Sequence, residues 1–127
     1  MKNILCFGDS NTWGYEPLVA RRYPTDVRWT GVLQKSLGSD YRVIEEGLNG
    51  RTTFISEDER PLRSGSDVLP ILLESHRPLD LAIIMLGTND LKLEFNLTVA
   101  EIAQGAQTLC EFVMNSEYLE DHPPEIY

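Results

Sequence analysis

The chain opens on an uninterrupted apolar run, Ile4-Leu5-Cys6-Phe7, that stops at Gly8. A run without polar alternation fits a strand buried on both faces, as in the middle of a parallel sheet. Residues 11–25 hold Gly14, Pro17 and Pro24 and read as a loop. Trp29, Val32, Leu33 and Leu37 then recur at helical spacing, and Gly38 supplies the stop. Tyr41 to Glu45 predicts a second strand, which runs into the glycine-bearing stretch EGLNGRTT. Residues 56–67 are polar and charged and predict an exposed loop. Val68, Leu69, Leu72 and Leu73 share one helical face, closed by His76 and Pro78. Leu81 to Leu86 is the most apolar stretch and predicts a third strand ending in GTND. Thr98 and Glu101 have the spacing of a capping box. Val99, Ile102, Ala103, Ala106, Cys110 and Val113 follow as one amphipathic helix. Pro123 and Pro124 break that pattern, and Glu125-Ile126-Tyr127 reads as the beginning of a fourth strand.

Strands alternating with helices imply an α/β fold with a parallel sheet and right-handed crossovers. A length of 127 residues suits one domain with one core, so residues 1–127 are expected to form a single unit. In open parallel sheets, ligands bind beyond the carboxyl ends of the strands. Here GDSN, GLNGRTT and GTND each follow a strand. With the first strand between the other two, the three ends fall within ~10 Å, because neighbouring strands lie ~4.8 Å apart.

That convergence gives a site with parts. Ser10 brings a hydroxyl able to attack a carbonyl. Gly50 offers a backbone N–H with no Cβ in the way, and Asn89 offers a side-chain amide. Together with the Ser10 N–H they form three donors around one developing oxyanion, each worth ~3 kcal/mol in a transition state. Taken singly, GDSN reads equally well as an Asx-type turn and GTND as an ordinary strand end. Only the coincidence of all three carries the chemistry. The nucleophile elbow G-x-S-x-G is absent. Asp9 and Asp90 are expected to brace their loops by accepting N–H bonds, against a reading as solvated turn residues. Trp13 and Tyr15 are candidate walls of an acyl pocket or of an oligomer contact, against plain core packing. Arg51 is a candidate leaving-group contact, against a surface or loop-bracing role.

Composition narrows the partners. A net charge of −9 argues against nucleic acid and anionic membranes, which need clustered Lys and Arg. Cys6 and Cys110 sit in apolar segments and read as small buried hydrophobes. With no CxxC pair, a zinc site is not expected. The first apolar run is too short for a signal peptide and no stretch reaches membrane-spanning length, so a cytoplasmic location is expected.

The three loops together resemble the SGNH (GDSL-type) ester hydrolases. FGDSNTWGY is similar to the family's first block, GLNGRTT to its second and LGTND to its third. The form Gly-Asp-Ser-x-Thr-Trp-Gly resembles the arylesterase and acyltransferase branch. The resemblance runs from Lys2 to at least the helix after Thr98. It implies a flavodoxin-like three-layer α/β/α fold with sheet order 2-1-3-4-5. It also implies catalysis without metal or other cofactor: Ser10 as nucleophile, Gly50 and Asn89 as oxyanion donors, small acyl esters as substrates, and homo-oligomers.

One block of the family is not found: no Asp-x-x-His, the base and its orienting acid, occurs in the sequence. The topology puts the two histidines, His76 and His122, near the amino ends of strands. A strand of five or six residues spans ~17–20 Å, so neither is expected to reach Ser10. The expectation is a sheet cut short at its fourth strand, which leaves the third strand an exposed edge. Two other readings stay open: a flavodoxin-like ligand-binding module cradling a phosphate, which Asp9 would repel, and a catalytically inactive fragment.

Overall fold

The computed structural model describes residues 1–116 and 125–127. Its centre is strand β1 (Lys2–Gly8), in which Ile4, Leu5, Cys6 and Phe7 are all buried. A short helix α1 (Ser10–Trp13) follows at once, then a two-stranded antiparallel ribbon of β2 (Tyr15–Glu16) and β3 (Arg21–Arg22). Helix α2 (Trp29–Leu37) ends at Gly38, as its spacing predicts, and leads into β4 (Tyr41–Gly47). Helix α3 (Gly65–Ser75), β5 (Leu81–Met85), helix α4 (Val99–Met114) and β6 (Glu125–Ile126) complete the described elements.

The main sheet is parallel, in the order β4-β1-β5-β6, so the first three predicted strands and the incipient fourth take the expected order. Beside β5, Tyr127 donates to the Ala82 carbonyl and accepts from the Ile84 N–H. Leu5, Phe7, Ile44 and Ala82 meet Leu69 and Leu73 of α3 and Leu109 and Val113 of α4 in one core. Side chains alternate along β4, so Glu45 projects from the face opposite Ile44, and there it meets Arg28 and Thr30 at the start of α2. Helices thus cover both faces of the sheet.

Helix α2 also covers an edge. The Val43 N–H donates to Gln34 Oε1 at 2.8 Å, and Gln34 Nε2 donates to the Tyr41 carbonyl at 2.9 Å. One side-chain amide therefore satisfies an outward donor and acceptor of β4, in the manner of a neighbouring strand. Helix α4 starts from the predicted capping box: Thr98 Oγ1 accepts from the Glu101 N–H, and the Glu101 carboxylate accepts from the Thr98 N–H.

Two boundaries differ from the sequence reading. Residues 11–25 are not one loop, because they hold most of α1 and the β2–β3 ribbon. The polar stretch 56–67 turns helical at Gly65. Pro123, Pro124 and His122 lie outside the described residues.

Candidate active site

Register brings the loops together. Gly8, at the end of β1, pairs with Gly47 of β4 on one side and with Met85 of β5 on the other. The three strands therefore end level, and the chain leaves each into a loop holding one of Ser10, Gly50 and Asn89. Two of those strand ends also seat α1. A Cβ on Gly8 would stand 2.1 Å from Thr12 Oγ1, and one on Gly47 only 2.2 Å from the Trp13 nitrogen. The helix that begins with Ser10 rests directly on backbone, at a height that a side chain at either position would not allow.

Asp9 caps this helix. Its Oδ1 accepts from the Asn11 N–H at 3.0 Å, its carbonyl accepts from Thr12 and Trp13, and it is only 2% exposed. The carboxylate takes a donor that a phosphate bound at this turn would need, which weighs against the ligand-module reading. Ser10 itself is half-buried. Gly50 has φ +79°, a left-handed conformation in which glycine is unstrained. Among the described residues, no protein acceptor is bonded to the N–H of Ser10 or of Gly50. Asn89 opens a single 3₁₀ turn, and its Nδ2 donates to the Arg51 carbonyl at 2.9 Å. An amide nitrogen carries two N–H bonds, so one fixes the side chain and the second is left for the cleft.

Asp90, next in the chain, is fully buried. Its carboxylate accepts from the Thr53 N–H at 3.0 and 3.2 Å and from Thr53 Oγ1 at 2.5 Å. This pins the loop after β5 to the loop after β4. Both aspartates thus accept the N–H bonds expected of bracing residues.

Ser10, Gly50 and Asn89 line one cleft of about 400 Å³, with Tyr15 on its wall. Asn49, Arg60 and Lys92 line it too, and the sequence reading named none of them. Arg60 comes from the polar stretch 56–67, whose pattern marks it only as exposed, and Lys92 from the alternating segment LKLEFNL, which the sequence reading leaves unassigned. Arg60 lies against Gly50, where a Cβ would be 2.6 Å from its Nη1, and Arg60 Nη2 donates to the Asn49 carbonyl at 3.0 Å. Lys92 Nζ bonds Glu57 Oε1 at 2.5 Å, and that bond holds the Glu57 carboxyl below its ordinary range.

Two pocket candidates lie elsewhere. Trp13 carries the Arg22 guanidinium over its ring at 4.9 Å and braces the ribbon rather than the cleft. Arg51 is buried, 4% exposed, with its guanidinium 4.3 Å from the centre of the Phe7 ring. Its Nη1 donates to the Glu46 carbonyl at 2.5 Å and to the Gly8 carbonyl at 3.2 Å. Arg51 therefore ties the ends of β1 and β4 from beneath, which is the loop-bracing alternative and not a leaving-group contact. Burial lowers its pKa to about 10, so it keeps its charge at neutral pH. His76 closes α3 as expected, but its Nε2 lies 2.7 Å from Glu46 Oε1, near the carboxyl end of β4.

A family model for the GDSL-like lipase/acylhydrolases matches residues 6–117, and the chain belongs to that family. Solved structures agree. An aryl esterase of M. smegmatis, bound to an inhibitor, is 46% identical with a TM-score of 0.95, over 99% of this chain and 62% of that one. A carbohydrate acetylesterase family member from Sinorhizobium meliloti is 43% identical with a TM-score of 0.94, over 99% of this chain and 61% of that one. AlinE4, an SGNH-hydrolase family esterase, is 27% identical with a TM-score of 0.69, over 92% of this chain and 55% of that one. The chain thus spans less than two thirds of the length of these structures. No curated protein sequence matches it. Among the described residues, no helix is long and apolar enough to cross a membrane.

Proposed function

We propose that this chain supplies the nucleophile and oxyanion donors of a serine ester hydrolase acting on small acyl esters. Ser10 Oγ adds to the ester carbonyl. The developing oxyanion is held by the N–H groups of Ser10 and Gly50 and by the second N–H of Asn89 Nδ2. The alcohol departs, and water then releases the acid from Ser10. Positioned donors of this kind contribute ~3 kcal/mol each, about a hundredfold in rate. The observation that carries the reading is the shared cleft, with N–H groups of Ser10 and Gly50 that bond no protein acceptor among the described residues. Attack by a serine hydroxyl also needs a base. Among the described residues no histidine lines this cleft, so the reading takes its base from a group outside them. Cytoplasmic location and self-association belong to the same reading.

Ser10→Ala tests it. Turnover of p-nitrophenyl acetate should disappear, and a fluorophosphonate probe should label Ser10 in the unsubstituted chain and nothing in the variant. Turnover unchanged by the substitution would refute the assignment.

A further inference from the structure

Among the described residues, the charged side chains lining the cleft, Arg60 and Lys92, are both cations, in a chain whose net charge is −9. They are not equivalent. Lys92 is held by Glu57. Arg60 makes no ion pair among the described residues; its charge is felt by Glu57, but that carboxylate is bonded to Lys92. The guanidinium lies on Gly50, in space that any Cβ would fill, and spends one donor on the Asn49 carbonyl. Guanidinium carries five N–H donors in a planar fork that matches the two oxygens of a carboxylate. It thus stands beside an oxyanion donor with most of its hydrogen-bonding capacity unspent.

We propose that Arg60 is a specificity residue that recognises a carboxylate carried by the ester, so that the preferred substrate is an anionic ester. This rests on the ester-hydrolase reading for the identity of the reacting bond. An acidic protein surface repels anions in general, so a cation in the cleft that is unpaired among the described residues discriminates locally. A charge-assisted hydrogen-bond pair of this kind changes affinity by about 10- to 100-fold. The carboxylate can sit on either side of the ester bond, and the substrate pairs below separate the two.

The test uses the full chain, Arg60→Gln and Arg60→Lys, with thermal melts to establish folding. The first pair, phenyl acetate against 3-carboxyphenyl acetate, places the charge on the alcohol. The second, 4-nitrophenyl hexanoate against mono(4-nitrophenyl) adipate, places it on the acyl group. The ratio of kcat/KM, charged over neutral, should exceed tenfold in at least one pair. It should fall toward unity in Arg60→Gln and be partly retained in Arg60→Lys. A second arm needs no turnover: 3-hydroxybenzoate and neutral 3-hydroxybenzamide are titrated into ¹⁵N-labelled chain while the Gly50 and Asn89 amides are followed. The benzoate should bind about tenfold tighter, and Arg60→Gln should erase the difference. Ratios near unity in both substrate pairs together with equal binding of the two probes, or a preference unchanged in Arg60→Gln, overturns the proposal. Carboxylate preference in binding, with turnover that survives Ser10→Ala, would uphold Arg60 and count against the hydrolase reading; Ser10-dependent turnover without preference would do the reverse.

Discussion

Replacing Asp90 by alanine should cost this fold more than any other single change in the loops around the cleft. The carboxylate has no exposure and satisfies two buried donors, the N–H and the hydroxyl of Thr53. Each buried donor left without a partner costs about 1–3 kcal/mol. Relief of a buried charge offsets part of that loss, which leaves roughly 2–4 kcal/mol. For a small domain stable by about 5–15 kcal/mol, that is a large share. Asp90→Asn keeps one acceptor and should cost about half as much, ~1–2 kcal/mol. Thr53→Val removes the hydroxyl partner, so the double variant Asp90→Ala, Thr53→Val should fall short of the sum by about 1 kcal/mol. The ladder extends to α4. A Cβ on Gly105 would stand 2.2 Å from Thr53 Oγ1. Gly105→Ala should therefore displace the hydroxyl from Asp90 and destabilise in the same direction. Urea unfolding by circular dichroism gives the midpoints, compared at matched m-values. Asp90→Ala within 0.5 kcal/mol of the unsubstituted chain, or strict additivity in the double variant, would refute the reasoning; both limits are about the error of such cycles.

Gly47→Ala should destabilise by roughly 2 kcal/mol or more, because its methyl meets backbone of α1 that no rotamer can move aside; an unchanged unfolding midpoint would contradict this. Burial, with the Glu45 charge in support, pushes the Cys6 thiol up to about 12. At pH 8 only about one molecule in ten thousand then carries the thiolate. Iodoacetamide should modify half-buried Cys110 in the native chain and reach Cys6 only after unfolding, as read by mass spectrometry. The Thr98 N–H, with the Thr98 hydroxyl, holds the Glu101 carboxyl below its ordinary value of 4.5. A depressed acid stabilises the folded state fully above its unfolded pKa and loses that contribution as pH falls through the folded one. Melting of Glu101→Gln should therefore lag the unsubstituted chain at pH 6 and the gap should narrow as pH falls below 4.5; a gap that did not narrow would sink the capping-box account.

The parts of the fold legible in the sequence are those with a strong local signature. An apolar run bounded by Gly8 marks β1, Gly38 stops α2, and Thr98 with Glu101 opens α4. The meeting of Ser10, Gly50 and Asn89 in one cleft was legible because each follows a strand and the common order, with the first strand between the other two, brings those ends together. Helix α1 escaped because four residues are too few to show a period. The ribbon escaped because two-residue strands show no alternation, and the start of α3 because Ser64 to Asp67 holds no apolar residue. Arg51 is the instructive case. An arginine reads as surface, and its burial depends on Phe7 and on carbonyls of two strands that are far apart in sequence. Arg60 and Lys92 reach the cleft through tertiary packing alone, which no local pattern encodes.

The Gln34 amide has a consequence for association. Because it occupies hydrogen-bonding positions on the outer side of β4, a foreign strand arriving there would first have to evict a side chain anchored in a helix. Gln34→Leu would unplug that flank, leaving bare peptide groups at Tyr41 and Val43 as a template for sticking chain to chain. The variant should scatter light and sediment on gentle heating, at temperatures where the parent protein stays clear.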